Sequence, residues 1–446
     1  MRRFKILPVL LISLILAQPL YASYDTQGGW ESDVALDLST AFREQYSSGG
    51  NLFEPVIPDA AFDDAVADRE NRINPEFHVP KGMEGSVGFW LRIYTQYTTQ
   101  HVVLFDQMHP EIIYDVLDFR DLARTARSQM VYEIVSKKRI QKLVNAYRLG
   151  FAKLTKNPHP KKPSREQVNI LAAMKKLNHK HSLSELSRNL HAQTGQRDNI
   201  VKGLMAADTF LPKMELIFSS MGLPPELTRL SLVESSFNLK AVSRVGATGV
   251  WQFMPKSGKE YMMINEKAHI DERLSPLKST VAAAKLLKRS QTLLHSWALT
   301  VTSYNHGYSG IRHLPAAAKT PDHIGKLFSG CSKPRGYKLG WASRNYYEEF
   351  LAVLYAESYR HVFYGELPQA ASPSIVFYQI EKATTASKLV IDRGVSMYEF
   401  RLFNPDVMNL RSPLPRGFWV ALPAGKDDFA GLFKHNAHKG RKSIPS

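Results

Sequence analysis

Cysteine is almost missing from this chain: Cys331 is the only one among 446 residues. A single thiol cannot form an intramolecular disulfide, and it cannot supply the clustered thiolates of a structural metal site. No other ligand cluster has suitable spacing, so we expect no metal and no cofactor. No cysteine follows the apolar N-terminal run, so we also expect no lipid attachment at an N-terminal cysteine.

Long apolar runs are scarce as well. The run at residues 6–16 is too short for a comfortable membrane span, which needs about 20 residues. A possible cleavage point follows it at Ala22, and basic residues precede it, so residues 1–22 are typical of a secretory signal. The basic residues are Arg2, Arg3 and Lys5. We therefore predict an exported, periplasmic protein, with an uncleaved N-terminal anchor as the alternative.

Acidic residues are outnumbered by basic ones. The chain has 58 Lys and Arg against 41 Asp and Glu, a formal net charge of +17. Removal of residues 1–22, with three cations and no anions, leaves 17 − 3 = +14. Such a charge suits anionic partners. Export argues against nucleic acid and favours cell-wall polymers, while peripheral contact with a membrane surface stays open.

The distribution of turn residues and apolar periods divides the rest of the chain. Ile112, Ile113, Val116 and Leu117 lie at helical spacing, and β-rich runs occur only near residues 375–380 and 418–422. We predict a mainly α protein with a small α+β module near its end. The predicted regions are a signal peptide (1–22), an extended arm (23–85), a helical N-terminal region (86–195), a dense helical domain (196–365), a βααβ module (374–424) and a basic tail (425–446).

Glu234 is the most informative single residue. A helix can begin at Pro225, and Leu227, Leu230 and Val233 then form one apolar stripe that includes Glu234. A carboxyl group turned inward has a raised pKa and can act as a general acid near neutral pH. From the helix alone, a glutamate turned to solvent at a frayed end is the favoured alternative. The residues that follow reverse this preference.

Two later segments combine polar and apolar side chains in a way that suits a sugar. Gly246 and Gly249 permit tight turns, and Gln252 offers donors and acceptors between aromatic and methionine neighbours. Tyr304 and Asn305 follow at the end of a predicted helix. Each segment alone is weak, because a Trp or Phe in a helical domain is usually core and a Tyr-Asn pair can be a helix stop.

Together, residues 222–307 resemble the lysozyme-like SLT domain of lytic transglycosylases. The resemblance rests on Glu234-Ser235, Ser243, Gly246-Ala247-x-Gly249, Gln252-Phe253-Met254 and Tyr304-Asn305-x-Gly307. It implies a lysozyme-like α fold and cleavage of the MurNAc–GlcNAc β-1,4 bond of peptidoglycan. Glu234 is the implied acid/base, which protonates the glycosidic oxygen and then takes a proton from the C6 hydroxyl that attacks C1, leaving a 1,6-anhydro end.

Other roles follow from the same resemblance. Tyr304 matches a tyrosine at the catalytic centre, and Ser243, Gln252, Met254 and Asn305 match residues that contact the glycan. Most glycosidases need a second carboxylate, but an intramolecular nucleophile removes that need. Asp271 and Glu272 lie beside Arg273, and we expect them to form ion pairs.

One departure from the family pattern concerns a second glutamate. Many relatives carry Glu-Thr-Arg-x-Tyr-Val near the end of the domain, whereas residues 342–347 here read Ala-Ser-Arg-Asn-Tyr-Tyr. Ala342 takes the acidic position, unless Glu348 or Glu349 substitutes for it. Residues 90–119 also resemble the N-terminal part of membrane-bound members, without a motif that carries a role.

Residues 374–424 resemble a degenerate LysM module, a βααβ unit that binds N-acetylglucosamine-containing glycans. The usual Gly-Asp-Thr after the first strand is replaced by Ala383-Thr384-Thr385, so a structural cap on the catalytic domain is the alternative. For the whole chain, two other functions stay open beside the transglycosylase. One is a hydrolytic muramidase on the same fold, and the other is a non-catalytic peptidoglycan-binding scaffold.

Overall fold

Helices dominate the architecture, which confirms the mainly α prediction. The computed structural model describes residues 57–314 and 339–437. The signal peptide, most of the arm, Cys331 and the end of the tail lie outside these residues. Within them, no helix combines the length and apolar character needed to cross a bilayer.

The helices are α1 (Asp59–Val66), α2 (Glu84–Thr95), α3 (Arg120–Thr125), α4 (Gln129–Lys156), α5 (Arg165–Lys176), α6 (Leu183–Asn189), α7 (Arg197–Ala207), α8 (Leu211–Ser220), α9 (Leu230–Ser235), α10 (Pro255–Tyr261), α11 (Pro276–Leu294), α12 (Trp297–His306), α13 (Tyr308–Arg312), α14 (Trp341–Ser358), α15 (Arg360–Phe363), α16 (Ala386–Arg393), α17 (Met397–Phe403) and α18 (Ala430–Ala437). The strands are β1 (His101–Asp106), β2 (His109–Asp118), β3 (Leu190–Thr194), β4 (Ile264–Asn265), β5 (Ile270–Asp271), β6 (Ile375–Gln379), β7 (Thr384–Thr385), β8 (Pro413–Leu414) and β9 (Trp419–Pro423).

The described part of the predicted extended arm is packed rather than loose, so that prediction is wrong for residues 57–85. Phe62 of α1 and Phe77 of a short 3-10 turn are fully buried. Phe77 packs edge-on against Phe350 of α14. The Pro, Asn and Asp residues that indicated an arm form turns between these buried aromatics.

The helical interpretation of residues 112–117 is also wrong. They lie in β2, which pairs antiparallel with β1, and β3 pairs with the other edge of β1. Every residue of β1 is buried, so this central strand shows no alternating pattern. The apolar spacing in β2 fits a helix as well as a strand, but its β-branched residues favour the strand. Helices α4 to α6 cover this sheet around a second core that includes Tyr147 and Phe151.

The dense helical domain follows its sequence pattern closely. The apolar period, punctuated by Pro276 and Gly307, predicts helices near residues 276–294 and 297–306, where α11 and α12 lie. Ser275 and Ser296 cap their first turns. The segment predicted as one helix over 225–235 begins instead as a 3-10 turn, Pro225–Arg229, and continues as α9. Helix α14 packs against both α2 and α12, which places it behind the end of α9.

The C-terminal module has the predicted strand–helix–helix–strand order, with β6 and β9 paired antiparallel. The predicted basic tail contains a helix in its described part, Ala430–Ala437. Helix α18 forms there, because Leu432 inserts fully into the core against β6 and α11.

The module contacts the helical domain through a backbone hydrogen bond and through buried ion pairs. Ile270 of β5 belongs to the core of the module. The amide of Asp271 donates to the Asp406 carbonyl oxygen at 3.0 Å. Lys278 Nζ lies 2.6 Å from an Asp406 carboxylate oxygen and 3.3 Å from Glu272, and all three side chains are buried. A lysine between two carboxylates compensates the charges that burial would otherwise leave unpaired.

Candidate active site

Glu234 lies in the last turn of α9, where the chain leaves the helix through Ser236 in a left-handed conformation, φ 48°. Its side chain is half-buried. The Tyr346 hydroxyl of α14 donates a hydrogen bond to Glu234 Oε1. Burial raises the pKa of Glu234 to about 7, and the Tyr346 bond partly opposes this effect. The carboxyl group therefore titrates near neutral pH, as the apolar helix face predicted.

The loop after α9 is anchored directly to the helix that carries Glu234. Ser235 Oγ donates to the Val250 carbonyl oxygen at 3.0 Å. Trp251 is fully buried and stacks on Phe218, with ring centroids 5.7 Å apart and planes 7° apart. Its indole Nε1 donates to Thr280 Oγ1 at 2.8 Å. The tryptophan is core, and it fixes the loop relative to Glu234.

Two residues of this loop adopt backbone conformations that hold it tightly turned. Gln252 has φ 47°, and its side-chain amide donates to the Gly249 carbonyl oxygen at 2.8 Å. Gly249 has φ +78°, and a Cβ there would lie 1.9 Å from the Arg273 carbonyl oxygen. Arg273 Nη1 in turn donates to the Gly246 carbonyl oxygen at 2.8 Å. Asp271 pairs with Arg273 at 2.7 Å, which confirms the expected ion pair.

Tyr304 lies close to Glu234 without contacting it through a hydrogen bond in the structure. Its hydroxyl donates to the Trp251 carbonyl oxygen at 2.9 Å, and its ring centroid lies 6.2 Å from that of Phe253. Burial, and then the charge of Glu234, hold the pKa of Tyr304 well above its usual value. Tyr304 is therefore a neutral hydroxyl beside the carboxyl group.

The four predicted glycan contacts fall into two groups. Met254 and Asn305 are exposed, and Asn305 Oδ1 accepts from Ser343 Oγ at 2.9 Å. Ser243 and Gln252 are half-buried and are engaged within the loop, since Ser243 Oγ accepts from the Ala247 amide at 2.9 Å. Met254 and Asn305 are therefore accessible to a ligand, whereas Ser243 and Gln252 stabilise the conformation of the loop.

The sequence-based interpretation missed Tyr346 as the direct partner of Glu234. The Arg-x-Tyr pattern of residues 344–346 could have indicated Tyr346, but it was interpreted only through the missing acid at Ala342. One turn beyond Tyr346, burial and then Glu348 and Glu234 raise the pKa of Glu349 to about 8. Burial likewise raises the pKa of Glu348 to about 7. Helix α14 thus brings one carboxyl group with a raised pKa, that of Glu349, near Glu234, whereas Glu348 interacts with Ser86, Arg344 and Glu111 instead.

No group of three His, Cys, Asp or Glu side chains suited to a metal ion occurs within residues 57–314 and 339–437. The side chains around the described site, Glu234, Tyr346 and Tyr304, offer carboxyl and hydroxyl groups. A carboxyl group that titrates near neutrality, held by one tyrosine and flanked by another, can give and take a proton.

Comparison with known proteins agrees with this geometry. Residues 219–323 match the Transglycosylase SLT domain family. The chain is 30% identical over 190 residues to Membrane-bound lytic murein transglycosylase D of Escherichia coli (strain K12), an alignment that covers 42% of this chain and 40% of the relative. The protein of the same name from Escherichia coli O6:H1 aligns with the same identity and coverage. The chain thus spans about 40% of the length of these relatives, and the predicted resemblance to lytic transglycosylases with an SLT domain is confirmed.

Proposed function

We propose, with the SLT domain as the premise, that this chain is an exported lytic transglycosylase that acts on peptidoglycan glycan strands. The observation that carries the proposal is the half-buried Glu234, whose pKa is raised to about 7 within that domain. The bond cleaved is the MurNAc–GlcNAc β-1,4 linkage, and the role is remodelling of the cell wall in the periplasm.

A pKa near neutrality suits a group that must first donate a proton and then accept one. Protonated Glu234 gives its proton to the glycosidic oxygen as the bond to C1 breaks. The resulting carboxylate then takes the proton of the C6 hydroxyl on the same sugar, whose oxygen bonds to C1. The product is a 1,6-anhydro end, no water is consumed, and Glu234 returns to its starting state.

The neighbouring tyrosines support the two proton transfers in different ways. The Tyr346 hydroxyl donates to Glu234, so it stabilises the carboxylate between the two steps and fixes its direction. Tyr304 is held by the Trp251 carbonyl, and we assign its neutral hydroxyl to the catalytic centre. Met254 and Asn305 contact the glycan from the surface, while Ser243 and Gln252 hold the loop edge against it.

The C-terminal module is proposed to bind N-acetylglucosamine-containing glycan as a LysM-like unit. Its βααβ order supports this proposal, and its basic surroundings suit an anionic wall polymer. Because the module is docked on the helical domain, a bound strand would lie at a fixed orientation relative to Glu234.

A hydrolytic muramidase is the second candidate, and one observation favours it. Glu349 lies one helical turn from Tyr346, and its pKa of about 8 responds to Glu234. Once ionised, Glu349 could activate water in place of the C6 hydroxyl, as the base of a two-carboxylate glycosidase does. Because a pKa of about 8 keeps Glu349 mainly protonated at neutral pH, this activity should appear only at alkaline pH.

Digestion of purified peptidoglycan in isotopically labelled water distinguishes the candidates. The transglycosylase releases products lighter by one water and free of label, whereas a muramidase releases labelled reducing ends. Glu234→Gln should abolish either activity, and Glu260→Gln, which alters an exposed carboxyl group on α10, should not. If wild-type protein binds peptidoglycan without any cleavage, the non-catalytic scaffold replaces both proposals.

A further inference from the structure

The N-terminal half of α4 projects from the body of the protein. No residue from Arg120 to Ala146 is buried, whereas Tyr147, Phe151 and Leu154 in the second half are all in the core. The first half is attached mainly through one side, where Tyr132 packs edge-on against Phe119. The opposite side of these turns faces solvent.

Apolar side chains lie on that solvent side. Met130 is 70% exposed, Ile134 is 49% exposed and Val131 is 40% exposed. At about 100° per residue the three fall within one arc of about 100° on the helix. Adjacent exposed apolar residues are typical of a surface that contacts a membrane or another protein.

Cations continue the same side of the helix. One turn further on, Lys137 lies at one edge of the apolar arc and Lys138 lies within it. Between residues 120 and 142 there are seven Lys and Arg against two Asp and Glu, a balance of 7 − 2 = +5. Within the described residues, neither Lys137 nor Lys138 forms an ion pair, whereas Arg124 is paired with Asp121. We name this surface, made of Met130, Val131, Ile134, Lys137 and Lys138, the α4 face.

We propose that the α4 face docks on the anionic surface of a lipid bilayer. The cations lie beside the headgroup charges, and the three apolar side chains enter the boundary with the acyl chains. A soluble polyanion would satisfy the lysines but leave the apolar residues in water, so the combination favours a bilayer. This inference is separate from the proposed cleavage of peptidoglycan, and it adds a fixed place for the enzyme beside a membrane.

The test is co-sedimentation of the full chain with vesicles. One set contains phosphatidylethanolamine and phosphatidylglycerol, and the other contains phosphatidylcholine alone. We expect binding to the anionic set that weakens as salt is raised. The double variant Lys137→Glu, Lys138→Glu should bind at least about tenfold more weakly. The matched control Lys161→Glu, Lys162→Glu makes the same charge change in an exposed loop and should bind as wild type does.

A second variant separates a bilayer from other occupants. Met130→Ser, Ile134→Ser keeps every charge and should also lose vesicle binding. Unchanged binding by this variant would mean that the surface recognises polyanions only, and the proposal would be overturned. If the loop control lost vesicle binding to the same extent, binding would depend on net charge alone, and the proposal would also be overturned. Sedimentation velocity without lipid adds a third outcome, since a dimer abolished by either α4 variant would identify a second copy as the occupant. Cleavage of soluble peptidoglycan fragments by all variants shows that they fold.

Discussion

Replacement of Tyr346 by Phe removes the one side-chain hydrogen bond that Glu234 makes within the described residues. The change removes only the hydroxyl that donates to Oε1 and keeps the buried ring. A hydrogen bond to a charged group contributes about 1.5–3 kcal/mol. It is made to the ionised carboxylate, so its loss favours the protonated form and raises the pKa of Glu234. At about 1.4 kcal/mol per pH unit, the expected change is about one to two pH units.

The sign of the change is visible in the pH dependence of cleavage. In the proposed reaction Glu234 must be protonated at the start, so the rate should fall as pH rises through its pKa of about 7. In Tyr346→Phe this alkaline limb should move upward by about one to two pH units. The maximal rate should fall about tenfold to a hundredfold, because the carboxyl group is no longer oriented.

The assay is the initial rate of product release from purified peptidoglycan between pH 5 and pH 10. Tyr355→Phe is the matched control, because this tyrosine lies on the same helix but donates to the Phe77 carbonyl oxygen, away from Glu234. Its profile should keep the wild-type limb. An alkaline limb that stays in place in Tyr346→Phe would refute the assignment of this limb to Glu234.

Three further predictions concern stability. Gly249→Ala should unfold the loop and abolish cleavage, since the new Cβ would lie 1.9 Å from a backbone oxygen; Gly222→Ala, at φ +68° in open space, should cost only about 1 kcal/mol by denaturant titration. Lys278→Met should destabilise the protein by about 3–5 kcal/mol, because two carboxylates lose their buried partner. The control Lys388→Met removes one partner of an exposed ion pair and should leave the free energy of unfolding nearly unchanged. Glu234→Gln should raise the melting temperature above pH 7, and the gain should vanish as pH falls below about 4.5, because the folded pKa is raised from 4.5 to about 7.

The sequence was sufficient where one local rule decided the structure. Helix α11 begins after a serine cap with a proline in its first turn, and these signals lie within a few residues of each other. The apolar period of Leu227 and Leu230 also predicted that Glu234 turns inward, although Leu227 lies in a 3-10 turn and not in the α-helix. The raised pKa of that carboxyl group could be predicted because burial is its cause.

Contacts between residues far apart in the chain could not be predicted from local sequence patterns. Tyr346 is 112 residues from Glu234 in the chain, so no local period could pair them. The strand β1 is buried on both sides, and it lacks the alternation by which a strand is recognised. Glu272 was expected to pair with its neighbour Arg273, but its ion-pair partner is Lys278, which Asp406 shares.

The shared Ile270 bears on how this protein can change over evolutionary time. A module joined by a linker can be exchanged or lost without harm, because each unit melts on its own. Here Ile270 belongs to the chain of one unit and the core of the other, and Lys278 needs carboxylates from both. The two units should therefore melt in a single cooperative transition. A recombination that replaced the C-terminal unit alone would leave Ile270 without its core and the buried Lys278 with only one of its two carboxylates.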